Sequence, residues 1–208
     1  GSVRIWHLST GALRTVRIGH GRPVRAVTFA PDGRALAVAH VEDSGERVSL
    51  LDAANGRTRH TIDTSARSPL SLVFSPDGDT LATASGSEVR TWDVRTGRLQ
   101  GRFSADDEVT SQAFSPDGRT LAASTVRGVG LWDLDTGRTR ATLPARPAAA
   151  VAFSPDGRTL AVGSDESVGL WEIDLPDPTG AIRDICDAVG RTLTPAERSR
   201  YGHDRSAG

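Results

Sequence analysis

The phrase Phe-(Ser/Ala)-Pro-Asp-Gly stands in this chain four times, beginning at Phe29, Phe74, Phe114 and Phe153, at spacings of 45, 40 and 39 residues. A recurrence at roughly forty residues restricts the chain to a repeat architecture, because each unit must be one small structural module stacked on the next. The flanks recur in step. Leu36-Ala37, Leu81-Ala82, Leu121-Ala122 and Leu160-Ala161 follow the turn, and then come Leu51-Asp52, Trp92-Asp93, Trp132-Asp133 and Trp171-Glu172. Asn55-Gly56-Arg57, Thr96-Gly97-Arg98 and Thr136-Gly137-Arg138 close three of the units. Val3-Arg4-Ile5-Trp6-His7-Leu8 with Thr10-Gly11 reads as a partial copy at the start.

Within a unit, Pro fixes one backbone angle, Asp bonds its own backbone and Gly accepts a positive φ, so Pro-Asp-Gly between apolar runs is a hairpin turn. In the unit around Phe74 the pattern predicts strands near 69–75, 80–85, 88–93 and 98–103, all too short for ordinary helices. Val, Leu, Thr and aromatic residues fill these runs, and Gly or Pro marks nearly every boundary. Each unit is therefore a small antiparallel sheet. One such sheet cannot bury both faces alone, whereas several stacked around an axis can.

The Trp-Asp endings, the Ser-Pro-Asp-Gly turns and the period together resemble WD repeats, the blades of β-propellers, over residues 2 to about 175. The resemblance implies an all-β fold of about four and a half four-stranded antiparallel blades, an incomplete or open propeller followed by a short C-terminal helical tail. The expected divisions are a partial blade over 1–18, blades over 19–63, 64–104 and 105–144, a blade lacking its fourth strand over 145–175, and the tail over 176–208. In that family a Gly-His dipeptide joins a buried network with Asp, Ser or Thr and the Trp. Here it survives only as Gly19-His20, in the unit whose Trp place is Leu51, so no complete network is expected. Cohesion should rest on apolar packing by Phe29, Leu51, Phe74, Trp92, Phe114, Trp132, Phe153 and Trp171. Gln112 takes a place held by Val27, Leu72 and Val151 elsewhere and should be a hydrogen-bonded core exception.

Both ends break the pattern. The first run, 2–8, holds the third-strand place of a unit, and 12–18 should pair with it. After Trp171-Glu172 the expected fourth strand is replaced by Asp174-Leu175-Pro176-Asp177-Pro178, which cannot form a regular central strand. An arc of this kind falls short of the family's usual blade number and would expose apolar faces. Ile182, Ile185, Cys186 and Val189 then predict a short amphipathic helix over 179–189, with Cys186 a small buried apolar residue, and Thr194-Pro195-Ala196-Glu197 predicts the cap of a second helix reaching Tyr201. The string from Ile185 to Glu197 is also similar to the C-terminal cap of bacterial multidomain WD proteins. That likeness implies the C-terminal part of a longer regulator linked to a STAND-type signalling ATPase or a kinase. The half-unit at the start adds an expected contact with a preceding part of the propeller.

Composition narrows the function classes. No apolar run approaches the roughly eighteen residues of a membrane helix, no signal segment precedes the first run, and a single Cys excludes an internal disulfide framework. The expected location is the cytoplasm, without membrane contact. All 25 basic residues are Arg, a coding bias of GC-rich bacterial genomes, and with 26 acids the net charge is -1, which offers nucleic acid no global attraction. No P-loop, H-E-x-x-H, paired C-x-x-C or nucleophile-elbow motif occurs, so no catalytic residue, metal ligand or cofactor is expected. Two readings follow. One is a non-catalytic platform, a protein-interaction scaffold or sensor of a bacterial signalling protein. The other is a propeller enzyme, a hydrolase or quinone-dependent oxidoreductase with a central-channel site. The loops near 20–22, 41–46, 64–67, 86–88, 104–108, 126–128, 144–147 and 164–166 repeat no catalytic residue, which favours the platform. Its expected contacts with a protein or peptide partner are Arg22, Asp43, Glu46, Arg67, Asp106, Asp107, Arg127, Arg146 and Asp165.

Overall fold

The structure, a computed structural model, describes residues 1–18, 23–43, 45–66, 71–145, 147–165 and 167–173, with the backbone alone at 65 and 66. Gly1–Glu172 forms one compact unit and Ile173–Gly208 a second. The expected tail helices, Cys186 and the substituted strand after Glu172 lie outside the described residues.

The described part of the first unit is all strand and turn, with no helix. Strands β1 (Ser2–Trp6) and β2 (Leu13–Arg17) form a two-stranded sheet. The second sheet holds β3 (Val24–Phe29), β4 (Ala35–Glu42), β5 (Gly45–Asp52) and β6 (Thr58–Ala66). The third holds β7 (Ser71–Phe74), β8 (Thr80–Ser85), β9 (Glu88–Asp93) and β10 (Leu99–Ser104). The fourth holds β11 (Val109–Phe114), β12 (Thr120–Thr125), β13 (Gly128–Asp133) and β14 (Thr139–Leu143). A three-stranded fifth sheet holds β15 (Ala150–Phe153), β16 (Thr159–Gly163) and β17 (Val168–Glu172). All pairing is antiparallel between chain neighbours, and β1 and β2 pair from Ser2 with Arg17 to Trp6 with Leu13.

The four inner strands β3, β7, β11 and β15 pack side by side in that order. The stack is an open arc of propeller blades rather than a closed ring.

Each joint between sheets is apolar and built by the alternation of the strands. Ala37, Ala39, Val48, Leu50 and Ile62 on the back of the second sheet meet Phe74, Leu81 and Trp92 on the front of the third. One joint on, Ala82, Ala84, Val89 and Phe103 meet Phe114, Leu121, Ala123 and Trp132. Burying a Leu or Phe side chain in such a joint stabilises by about 1.5–3 kcal/mol. Val3 of the first sheet and Ile18 just beyond it close over Leu36, Val38 and Leu51.

Leu51, Phe74, Trp92, Phe114 and Trp132 are buried as their places in the repeat require. Phe153 and Trp171 are half-buried. Phe29 departs from the core role expected of it and is 52% exposed. The two strands of the first sheet cover the second sheet at Leu36, Leu51 and Val24, and leave Val27 and Phe29 of its inner strand β3 uncovered. The last sheet departs in the same way on its back. Val168 and Leu170 are 68% and 72% exposed, whereas their counterparts Val89, Val129 and Leu131 are fully buried inside joints.

The joints also contain more polar pairing than the loss of the Gly-His dipeptide suggests. Trp92 Nε1 donates to Thr83 Oγ1 at 3.0 Å, and His40 Nε2 lies 2.9 Å from Ser49 Oγ, both pairs buried. Gln112 is buried, and its Nε2 donates to Ala82 O at 3.4 Å across the joint, while its Oε1 finds no partner among the described residues.

Candidate interaction surface

Antiparallel connection places successive turns at alternate ends of each sheet, so the arc has two rims of different character. One carries the Pro-Asp-Gly turns and the turns that follow Trp-Asp. There the polar groups are consumed locally. Ser75 Oγ donates to Asp77 Oδ1 at 2.5 Å and accepts from Thr80 N at 2.9 Å, and Asp77 accepts from Asp79 N at 3.0 Å. Ser154, Asp156, Arg158 and Thr159 repeat the arrangement, and so do Ser115, Asp117, Arg119 and Thr120.

The Asp of Trp-Asp has the same inward duty. Asp93 Oδ1 accepts from Thr96 N and Thr96 Oγ1, both at 2.7 Å, and Asp133 accepts from the same groups of Thr136 and from the Arg140 guanidinium. The hydroxyl of Ser75 holds the Asp77 carboxyl below its ordinary value, and Thr96 does the same for Asp93. At Asp117 and Asp133 burial is the largest single influence and pushes upward, but hydrogen bonds from Ser115 and Arg119 N to the first and from Thr136 and Arg140 to the second, with the Arg119 and Arg140 charges, together lower both carboxyls. These carboxylates are turn locks.

The other rim is built from the β4–β5, β8–β9, β12–β13 and β16–β17 turns and from the connections between sheets. Backbone bonds fix it: Ala105 N donates to Ser87 O and Val109 N to Gly86 O, both at 2.8 Å, while Ala148 N donates to Thr125 O at 3.2 Å. Its side chains differ in every sheet. Asp43 stands exposed in the first of these turns, Arg127 in the third and Asp165 in the fourth, and Asp106 is exposed in the connection from β10 to β11. Asp107 is half-buried there, and its Oδ1 accepts from Glu108 N at 2.8 Å. Among the described residues no hydrogen bond or ion pair engages the Asp106 or Asp165 side chain.

Glu46 does not stand in a loop as the sequence suggests. Strand β5 begins at Gly45, so Glu46 lies within the ladder, 3% exposed, with Oε1 4.0 Å from Arg25 Nε and its carbonyl accepting from Thr64 Oγ1 at 2.7 Å. Burial raises its carboxyl above the ordinary value, and the Arg25 charge only partly opposes this. Arg22, Arg67 and Arg146 lie outside the described residues. The fold thus brings Asp43, Asp106, Asp107, Arg127 and Asp165 to one rim, with Glu46 set below it.

Clefts between neighbouring sheets indent the described surface. One of about 740 Å³ lies between the first and second sheets at Trp6 and Phe29. Another of about 530 Å³ lies between the third and fourth near Gln100 and Asp135. A third, of about 120 Å³, lies between the same two sheets beside Asp106 and Gly130. None was legible in the sequence, because each is walled by residues from different repeats. Among the described residues no group of His, Cys, Asp or Glu is placed to hold a metal ion, and no helix is long and apolar enough to cross a membrane.

Comparison with known proteins agrees with this geometry. The family described as WD domain, G-beta repeat matches residues 56–93, 97–133 and 138–172. The anaphase-promoting complex subunit 4 WD40 domain matches residues 2–74. The periodic tryptophan protein 2 homolog of Mus musculus is 33% identical over 103 residues, which take in 47% of this chain and 11% of that protein. The chain therefore spans only about a tenth of the length of this relative. The matched repeats are out of step with the sheets. Residues 56–93 contribute β6 to the outer edge of the second sheet and β7, β8 and β9 to the third, so each repeat ties two sheets together. With three matched repeats taking in more than half of its length, the chain belongs to the WD-domain, G-beta repeat family.

Proposed function

We propose that this chain is a non-catalytic platform for a protein or peptide partner, engaged by the rim that carries Asp43, Asp106, Asp107, Arg127 and Asp165. WD-repeat domains generally mediate protein–protein interaction. The observation that carries the choice of rim is the contrast between the two. The Pro-Asp-Gly rim repeats one turn from sheet to sheet, with Ala30 in place of Ser in the second, and binds the Asp of each such turn to its own backbone, whereas the opposite rim presents different side chains at each sheet. A rigid scaffold with one variable rim is suited to recognition by scattered polar contacts.

The finer reading places the chain in a bacterial signalling protein of the cytoplasm, in the C-terminal part of a regulator with a STAND-type ATPase or kinase. Its support is the Ile185–Glu197 string, the exclusive use of Arg and the single Cys. In that setting a preceding part of the propeller would cover the Phe29 face.

The test is simultaneous reversal of Asp106→Arg, Asp107→Arg and Arg127→Glu in the full-length protein, with folding followed by circular dichroism. Partner capture should fall at least about ten-fold, the loss expected when several charge contacts are turned repulsive. Undiminished capture by a folded variant would eliminate this rim.

A further inference from the structure

Equivalent places in successive joints are filled differently, and one of them is left open. In the third sheet Arg90 reaches forward into the joint with the second. Its Nε and Nη2 donate to Glu88 Oε1 and Oε2 at 2.8 and 2.7 Å, and its Nη1 donates to Thr64 O. The strand registers identify the matching place one joint on. Val48 pairs with Ile62, Val89 with Phe103 and Val129 with Leu143, so Gly130 corresponds to Arg90 and Ala105 corresponds to Thr64. The cleft of about 120 Å³ lies there, walled by Ala105, Asp106, Thr125, Gly130, Trp132 and Thr142.

Three differences between the repeats shape it. Gly130 removes the guanidinium that fills the preceding joint. Gly128 removes the carboxylate of Glu88, and Asp106 brings another to the cleft from the neighbouring connection. Ala123 replaces Thr83, the acceptor of the Trp92 indole, and Trp132 instead lies over Gly130, where an added Cβ would come within 2.7 Å of its ring. An aromatic wall, a carboxylate without a partner among the described residues and a vacated guanidinium site therefore coincide.

We propose that this cleft receives an arginine side chain from a protein partner. A planar guanidinium can stack on the Trp132 indole and donate to the Asp106 carboxylate and to main-chain carbonyls as Arg90 does to Thr64 O; an ammonium offers no such fork. The proposal takes from the platform reading only that the arginine comes from a partner protein.

The probe is Nα-acetyl-arginine amide, titrated into the whole chain while the Trp132 indole resonance is followed by NMR and assigned with Trp132→Phe. The resonance should shift saturably, and Nα-acetyl-lysine amide should bind roughly ten-fold more weakly. Asp106→Asn, on an exposed side chain, should weaken the arginine probe about three- to five-fold. Gly130→Ala, which forces the Trp132 ring aside, should abolish the shift. An unmoved resonance, equal response to the lysine probe, or an affinity unaltered by Asp106→Asn would overturn the proposal. If Asp107→Arg with Arg127→Glu, which leave the Asp106 carboxylate in place, spare partner capture while the arginine probe still saturates, the choice of rim fails and the cleft stands. If capture is lost and the probe is inert, the reverse holds.

Discussion

Gln112 buries an amide whose oxygen has no partner among the described residues, in a place where other units carry Val27, Leu72 and Val151. A long bond to Ala82 O offsets little of the desolvation cost of that oxygen. Gln112→Val should therefore stabilise the fold by roughly 1 kcal/mol, read as a raised urea midpoint. A lowered midpoint would mean that the amide contributes more than its visible bond. His40 sets a pH dependence at the same scale. Burial lowers its pKa, Glu42 raises it without cancelling that effect, and Arg47 and the N-terminus add to the lowering. Its contribution to stability is present above an unfolded value of about 6.5 and is lost as pH falls below it, because the unfolded chain then takes up the proton more readily. His40→Leu should flatten the stability profile just below that pH, and an unchanged profile would assign the slope to other groups. Gln112 was recognisable in the sequence because it breaks a register of apolar residues. The His40–Ser49 pair was not, since neither belongs to a recurrent motif and their contact depends on cross-strand neighbours.

The turns are the unit of order at the element scale. Gly118 has φ of +71° and completes a turn in which Ser115 and Asp117 bond each other and the following backbone. A side chain is strained in that region, so Gly118→Ala should cost about 1–2 kcal/mol, measured by thermal or urea denaturation. A neutral result would mean that the turn can relax without loss of its bonds. Asp77, Asp93, Asp117 and Asp133 all have lowered pKa values, so their contributions are present above an unfolded value of about 3.9 and are lost as pH falls through the native values. This punctuation explains why strands at 80–85 and 88–93 were legible in the sequence to the residue. The expected 69–75 and 98–103 correspond to β7, Ser71–Phe74, whose end also meets Pro-Asp-Gly, and to β10, Leu99–Ser104, with residues 69 and 70 outside the described residues. The sequence misplaces Glu46 because the β4–β5 turn is tighter than a loop of 41–46 and strand pairing carries Glu46 inside.

At the scale of the whole molecule, the arc leaves the back of its last sheet bare at Val168 and Leu170 and the front of β3 bare at Val27 and Phe29. Exposed apolar faces of this kind promote association. The isolated chain should sediment with rising apparent mass as its concentration increases, and Val168→Ser with Leu170→Ser should diminish that trend without unfolding the core. An ideal monomer at all concentrations would show that the bare faces do not associate. The arc and its open ends follow from motif register, which is why the sequence announces them. The guanidinium-sized cleft depends on Gly128, Gly130, Ala123 and Asp106 meeting after the sheets stack, and no linear pattern marks it. Site-specific photo-crosslinking in the full-length protein distinguishes a partner on the variable rim from one on the Pro-Asp-Gly rim. A benzophenone side chain placed at Asp107 should yield a covalent adduct with the partner and one placed at Asp135 should not; adducts from Asp135 with none from Asp107 would place the partner on the Pro-Asp-Gly rim instead.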